Sequence, residues 1–201
     1  LEDFSPLPAS PPLLSADRWI LARADEALRS AAFQLSNYEA GQARHEIDRF
    51  FWNDFCDTYI ELAKERLYSA ERQGTDARRA AQYALYHAFF TVLKLYAPFA
   101  PHITETIYLE FFRKFEPEPS LHLTRWPQTG EPEEQLLLFG ERLKENLSTM
   151  RREKTEKGVS LRAEMGCFPI HAEEKLHPLF KEAESDLLSC SHAESLKLLP
   201  L

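Results

Sequence analysis

Residues 49–64 read RFFWNDFCDTYIELAK, and this stretch decides the fold of the chain. Its large apolar side chains recur at steps of three and four, the spacing of one face of a helix. They form two adjoining stripes, Phe50, Phe51, Phe55, Tyr59 and Leu62 on one and Trp52, Cys56, Tyr59 and Ala63 on the other. Because a helix that is apolar on two adjoining stripes is packed by several neighbours, we predict the central helix of a bundle.

Two helices are predicted before and through this stretch. Ser15 has the side chain of an N-cap, and Asp17 follows in the first turn, where the helix dipole favours a carboxylate. An alanine-rich stripe continues at helical spacing, with Ile20, Ala24, Ala27, Ala31 and Leu35. Ser36 and Glu39 have the spacing of a capping box, which predicts that a second helix begins there and runs to about Leu67.

Prolines delimit the next two predicted helices. A third helix is expected from Asp76 to Tyr96, and Pro98 prevents its continuation. Pro101 has the position of a first helical residue and predicts a fourth helix. The apolar face expected for it consists of Ile103, Ile107 and Phe111.

The pattern changes after the fourth helix. Residues 117–127 alternate in polarity between prolines, which predicts an extended segment and places a domain boundary at Pro127. A long helix is expected over 133–157 with Gly158 as its C-cap. Strand-like residues over 159–170, a helix beginning at Pro178 and a short last strand with Leu196, Leu198 and Leu201 predict a small α+β unit.

These elements predict a mainly α fold, an antiparallel helix bundle with a small C-terminal α+β appendage. The expected division is a linker over 1–14, the bundle over 15–127 and the appendage over 128–201. Since the chain opens on Leu1 and not on Met, we expect it to be a piece of a longer protein.

Composition limits the classes of function. The net charge of −8 disfavours non-specific binding to nucleic acid, because phosphate contacts need Lys and Arg. No apolar run approaches the roughly 20 residues of a membrane span, and no signal peptide is visible. Three cysteines that are odd in number and far apart indicate reduced thiols, and we expect a cytoplasmic location.

The central stretch resembles the signature helix in the anticodon-binding domain of valyl-tRNA synthetases, which are class I enzymes. Isoleucyl and leucyl enzymes share the helix but usually lack the run from Asn53 to Asp57. Further similar segments are Asp17–Leu21, Pro98–Glu105 and Leu121–Pro127. Residues 150–161 resemble the start of the C-terminal appendage in archaeal-type class I synthetases.

The resemblance implies a helical domain that binds the anticodon stem-loop of tRNA and positions it for ATP-dependent esterification of valine. ATP and magnesium would belong to the catalytic domain of the parent enzyme, since the nucleotide motifs of that domain are absent from this sequence. We therefore expect no catalytic site and no cofactor in this chain, with tRNA and the remainder of the synthetase as partners, and a monomer. The alternatives are an isoleucyl or leucyl relative and a stand-alone helical protein-interaction module.

Candidate tRNA-binding residues are cations and one exposed aromatic. Tyr38 stands at a helix start, where a ring could stack on an unpaired base. The cations are Arg18, Arg23, Arg44, Arg49, Arg151, Arg152 and Lys154. For any one of these cations a surface ion pair is the competing interpretation, as the four-residue spacing of Arg44 and Asp48 indicates.

Other chemistry finds little support in the sequence. Asp54, Asp57 and Glu61 share one helix face, but we interpret them as a solvated strip or as partners of neighbouring helices rather than as acid/base groups. Cys190 and His192 are not accompanied by a second Cys/His pair at ligand spacing, so we expect no metal site.

Overall fold

The computed structural model describes residues 10–69, 75–127 and 129–201. The predicted linker over 1–14 and the predicted helix stop at Gln73–Gly74 therefore lie partly or wholly outside the described residues. The α-helices are α1 (Ser15–Ser36), α2 (Ala40–Arg49), α3 (Glu61–Tyr68), α4 (Asp76–Tyr96), α5 (Pro101–Ile107), α6 (Glu134–Glu156), α7 (His177–Glu182) and α8 (Glu184–Ser191). The strands are β1 (Met165–His171) and β2 (Ala193–Leu199). This confirms the mainly α bundle with a small α+β part.

The central helix is continuous from α2 to α3 and has π-helical geometry over Phe50–Ile60 between them. Its main apolar stripe is confirmed, because Phe50, Phe55, Tyr59 and Leu62 are buried. The second stripe is confirmed only at its later positions, since Trp52 is 57% exposed. The wider π turn moves side chains away from the positions that a regular 3.6-residue period predicts.

Helix α1 packs against the central helix, α4 and α6. Its predicted stripe is buried at Ile20, Ala24, Ala27 and Ala31. Trp19 is also buried, and its indole lies directly over Gly140 of α6, where a Cβ atom would overlap the ring. The small side chains and this glycine allow the two helices to approach closely.

Helix α4 has the predicted bounds, but the face predicted for the helix after it is wrong. Helix α5 continues as a π-helical turn over Tyr108–Phe112. Thr104, Tyr108 and Phe112 are buried, whereas Ile103 and Phe111 are more than half exposed. The buried face is shifted by one residue, and tyrosine and threonine on it hid this face in the hydrophobic pattern.

Three boundary predictions need correction. Ser36 is the last residue of α1 and donates to the carbonyl of Phe33, so it does not cap a second helix. Ser15 is the first helical residue, and its hydroxyl donates to the carbonyl of Leu179 at 2.7 Å instead of capping its own helix. Residues 121–123 form a 3-10 turn, and the described residues between 117 and 127 contain no strand.

The C-terminal part follows the predicted order of elements. The predicted stripe of α6 is buried at Leu136, Phe139, Leu143, Leu147 and Met150. Gly158 follows the end of α6 with φ of 67°, the left-handed conformation expected of a glycine there. Strands β1 and β2 pair in parallel, with Phe168 opposite Leu196 and Ile170 opposite Leu198. Helices α7 and α8 connect the two strands.

One hydrophobic core contains buried residues from both sides of Pro127. It includes Trp19 and Tyr59 of the bundle together with Phe139, Phe180 and Leu187 of the C-terminal part. The domain division at Pro127 stays a prediction, but the two parts are in extensive contact.

Candidate functional site

The corner between α1 and α2 has an unusual backbone at Tyr38. The amide of Tyr38 donates to the carbonyl of Leu35, and the amide of Glu39 donates to that of Gln34. This pair of hydrogen bonds is a Schellman motif, which usually has glycine at the left-handed position. Here that position is occupied by Tyr38, with φ of 63°. A bulky residue in this conformation is strained, and such strain concentrates at functional sites.

The side chains at this corner point into solvent. Tyr38 is 95% exposed, and Phe33, one turn earlier, is 66% exposed. Ser36, Asn37 and Glu39 around them are exposed as well. The corner therefore presents two aromatic rings in a polar surround, an arrangement suited to stacking on unpaired bases.

Two of the candidate arginines lie on the helix that follows this corner. Arg44 is bound to Asp48 at 2.8 Å, and its guanidinium lies 5.0 Å from the ring centre of Tyr96 and 5.8 Å from that of Phe99. Arg49 is bound to Glu46 at 2.9 Å. Both arginines remain about half exposed, so each retains surface for a second partner.

Arg23 lies inside the protein. Its side chain is 3% exposed and contacts the carboxylates of Asp54, Glu26 and Glu46. Asp54 is buried in turn and also accepts from Lys144 of α6 at 2.6 Å. This network joins α1, the central helix and α6. At Asp54 it agrees with the second of the two interpretations, bonds to neighbouring helices, and it leaves Arg23 no surface for RNA.

Lys154 is also buried, although the sequence placed it in a surface cluster with Arg151 and Arg152. It is 6% exposed, and its ammonium group donates to the carbonyls of Leu161, Ala163 and Ser191. It therefore holds the loop after α6 and the end of α8. Arg151 donates to the carbonyl of Asp57, and Arg152 is exposed.

The remaining candidate, Arg18, is about 40% exposed and bound to Glu182 of α7 at 2.6 Å. It lies near the opposite end of α1 from Tyr38. The structure thus places Tyr38 two residues before α2 and Arg44 and Arg49 on that helix, and it leaves Arg18, Arg151 and Arg152 elsewhere.

A second buried network was missed by the sequence analysis. Asp17 accepts two hydrogen bonds from Arg66, at 2.8 and 3.0 Å, and one from the hydroxyl of Tyr59. Arg66 also pairs with Asp186 of α8 at 3.0 Å. Burial raises the pKa of Asp186 to about 6; the nearby Arg66 opposes this rise and the Asp17 carboxylate adds to it. The sequence signal for this network was Arg66, a charged side chain within an apolar helix stripe.

Neither a metal centre nor a membrane helix is present in the described part of the chain. Over residues 10–69, 75–127 and 129–201, no three His, Cys, Asp or Glu side chains are arranged to hold a metal ion. Within the same residues, no helix is long and apolar enough to cross a bilayer.

Comparison with known proteins agrees with this picture. The family model described as the anticodon-binding domain of tRNA ligase matches residues 17–170. The chain belongs to this family of anticodon-binding domains.

Among the curated relatives are several valine–tRNA ligases. The one from Thermococcus kodakarensis is 33% identical over 201 residues, covering 99% of this chain and 22% of that protein. The one from Haloarcula marismortui is 40% identical over 153 residues, covering 76% of this chain and 16% of that protein. The one from Rickettsia felis is 32% identical over 183 residues. The chain thus spans about a fifth of the length of these relatives.

Proposed function

We propose that this chain is the anticodon-binding region of a valine–tRNA ligase and that it binds the anticodon stem-loop of tRNA. The family match over residues 17–170 and the similarity to valine–tRNA ligases support this proposal over an isoleucyl or leucyl relative. The bound tRNA would extend its acceptor end towards a catalytic site in another part of the protein. ATP and magnesium would be bound there and not by this chain.

The observation that carries the proposal is the conformation of Tyr38. The Tyr38 ring is 95% exposed and contributes nothing visible to packing, although its backbone is held in a left-handed conformation with φ of 63°. Anticodon bases are unpaired, and proteins read such bases by stacking them on aromatic rings or arginine planes. The Schellman motif fixes the Tyr38 backbone, so the point from which the ring projects is set before RNA arrives.

The arginines of the site have a supporting role in the proposal. Arg44 would stack its guanidinium plane on a base, Arg49 would contact a phosphate beside it, and Arg18, Arg151 and Arg152 would contact the RNA further away. Phosphate contacts position a nucleic acid without specifying its sequence, a rule framed for DNA that we extend to RNA. Arg23 and Lys154 are not assigned RNA contacts, because protein carboxylates and carbonyls already bind their charged groups.

The test is a titration of the chain with two RNA stem-loops that differ only in the anticodon. We expect tighter binding to the stem-loop with a valine anticodon, and weaker binding of both stem-loops with an unchanged log–log salt slope in Tyr38→Ala, because stacking on a ring accepts any base. The Arg49→Gln variant should weaken binding to both RNAs equally and reduce the log–log salt slope by roughly 0.7–0.9. Equal affinity of the wild-type chain for the two anticodons would contradict the proposal.

One observation favours a protein contact as a second function. An apolar groove of about 480 Å³ lies between the central helix, α4 and α5, lined by Phe55, Leu85, Phe89, Ile107 and Phe111 among others. The more than half exposed Ile103 and Leu109 also lie on the helix that forms one side of the groove. This surface would suit an apolar segment from the rest of a ligase. Protection of these residues from hydrogen exchange in the full-length enzyme, compared with this chain, would support it.

A further inference from the structure

We propose that Trp52 is a second stacking platform for an unpaired nucleotide of the same RNA loop, on the helix surface that begins at Tyr38. The inference rests on the proposed function, because it assigns an additional residue to the same anticodon site. It concerns a side chain that the sequence pattern placed in the core.

Trp52 is exposed in a way that packing does not explain. Its side chain is 57% exposed, although the surrounding stretch forms the centre of the bundle. Its ring is nevertheless held from behind, because Phe51 contacts it edge to face with ring centres 4.8 Å apart. Phe51 in turn contacts Tyr96 at 5.6 Å. The Trp52 ring is therefore exposed but supported, as a stacking surface must be.

Arg44 supplies a second planar group on the same cluster. Its guanidinium lies over Tyr96, whose hydroxyl donates to Asp48 at 2.6 Å, and Asp48 also accepts from Arg44 at 2.8 Å. The guanidinium is thereby fixed on one side and about half exposed on the other. Arginine planes and tryptophan rings both stack on bases. Phe51 and Tyr96 join the two planar groups into one aromatic surface.

The position of Trp52 relative to Tyr38 fits a short run of nucleotides. The two residues are separated by twice seven positions, with the exposed His45 midway. His45, Arg49 and Trp52 are exposed at steps of four and three, the spacing of neighbours on one side of a helix, and Tyr38 precedes the first residue of α2 by two positions. At 1.5 Å per residue the helical part of this surface, from Ala40 to Trp52, extends for about 18 Å. An extended single strand can lie along such a surface and place successive bases on it.

The charges along this surface favour base stacking over attraction of phosphates. Between residues 40 and 52 the two cations Arg44 and Arg49 are balanced by Glu46 and Asp48, with which they pair. A surface without net charge gains little from counterion release. Stacking needs no net charge and accepts any base. RNA is therefore expected to gain affinity here through ring contacts.

The experiment measures binding of a stem-loop RNA with a valine anticodon to four forms of the chain. They are the wild type, Trp52→Ala, Trp52→Phe and Tyr68→Ala, the last being a control because Tyr68 is also a highly exposed aromatic. We expect Trp52→Ala to weaken binding roughly five-fold or more, with Trp52→Phe restoring most of the affinity. The log–log salt slope should stay unchanged, because no phosphate contact is lost.

Tryptophan fluorescence gives a direct readout of the contact. Trp19 is buried and Trp126 half-buried, so Trp52 is the most exposed of the three tryptophans. Stacking on a base should quench its emission, and the quenching should disappear in Trp52→Phe while the RNA still binds. If the wild type binds RNA but Trp52→Ala binds equally well, this inference is overturned and the proposed function stands. If the wild type binds no RNA, the proposed function fails, and this inference fails with it.

Discussion

The two ends of α1 are built in opposite ways. At its N-terminal end, Ser15, Asp17 and Trp19 are buried. Ser15 and Asp17 hydrogen-bond to residues more than 40 positions away in sequence, and Trp19 packs over Gly140. At its C-terminal end, Phe33 projects into solvent, and Tyr38 follows in a strained conformation. The same helix is anchored by the first end and exposes aromatic rings at the other.

Under the proposed function, one end of α1 stabilises the fold and the other contacts RNA. The buried end joins α1 to α3, α6 and α8 through one arginine and one close helix contact. At the exposed end, the rings of Phe33 and Tyr38 stay in solvent, although burying them would remove apolar surface from water. Substitutions at the two ends should therefore affect different properties, and the following predictions run from the largest expected effect to the smallest.

Removal of Arg66 should have the largest effect on stability. Its guanidinium pairs with Asp17 and Asp186, and its replacement by Met would leave two buried carboxylates without a cation. We expect Arg66→Met to lower the free energy of unfolding by about 3–5 kcal/mol in urea denaturation. The matched variant Arg49→Met removes an exposed cation and should cost under about 0.5 kcal/mol. A comparable loss in both variants would show that the Arg66 network does not anchor α1.

The substitution Gly140→Ala tests the close contact between α1 and α6. A Cβ atom there would overlap the Trp19 indole, and overpacking of this kind costs about 1–3 kcal/mol. The control is Gly41→Ala, because Gly41 has open space around it in α2. Alanine at an open helix position should stabilise by up to about 1 kcal/mol. Opposite signs for the two substitutions in thermal unfolding are the expected result, and stabilisation by both would contradict the contact.

Asp186 should make stability depend on pH. Its pKa is raised to about 6 in the folded protein, and so the folded state binds the proton more tightly than the unfolded chain. The contribution of Asp186 to the free energy of unfolding is therefore greatest at low pH and is lost as the pH rises through about 6. Between pH 5 and pH 8 the loss amounts to about 1.4 kcal/mol.

The variant Asp186→Asn should lack this part of the pH dependence. Arg66, Asp17 and Glu65, whose charges act on the pKa of Asp186, all remain in the variant, as do Tyr59 and Cys190. Urea midpoints at pH 5 and pH 8 for both proteins measure the difference. A wild-type chain whose stability relative to the variant rises with pH would contradict the raised pKa.

The sequence predicted most of the helices because their apolar residues recur at a regular spacing. The bounds of α4 and the buried stripe of α6 follow directly from such spacing. The face of α5 did not, because threonine and tyrosine occupy its buried side. The exposure of Trp52 did not, because π-helical geometry over Phe50–Ile60 interrupts the 3.6-residue period. A regular period is the assumption on which the stripes rest.

The candidate site could be predicted only in part. Tyr38 was found because it lies between two helical patterns, but its left-handed conformation is a property of the folded corner. Arg23 and Lys154 were interpreted as surface cations. The sequence does not show that Arg23 donates to Asp54, or that Lys154 donates to carbonyls after α6. Long-range pairing of charged groups is set by the packing of helices and not by local spacing.

The most direct test of the account is the substitution of Tyr38 by glycine, with stability and RNA affinity measured on the same preparation. Glycine relieves the left-handed strain, so the free energy of unfolding should rise by about 1 kcal/mol. Loss of the ring should weaken binding of the valine-anticodon stem-loop roughly 5- to 150-fold. Tyr38→Ala should weaken binding without the gain in stability, and Tyr38→Phe should preserve binding. A Tyr38→Gly chain that is more stable and binds the RNA with unchanged affinity would contradict the assignment of this corner to recognition.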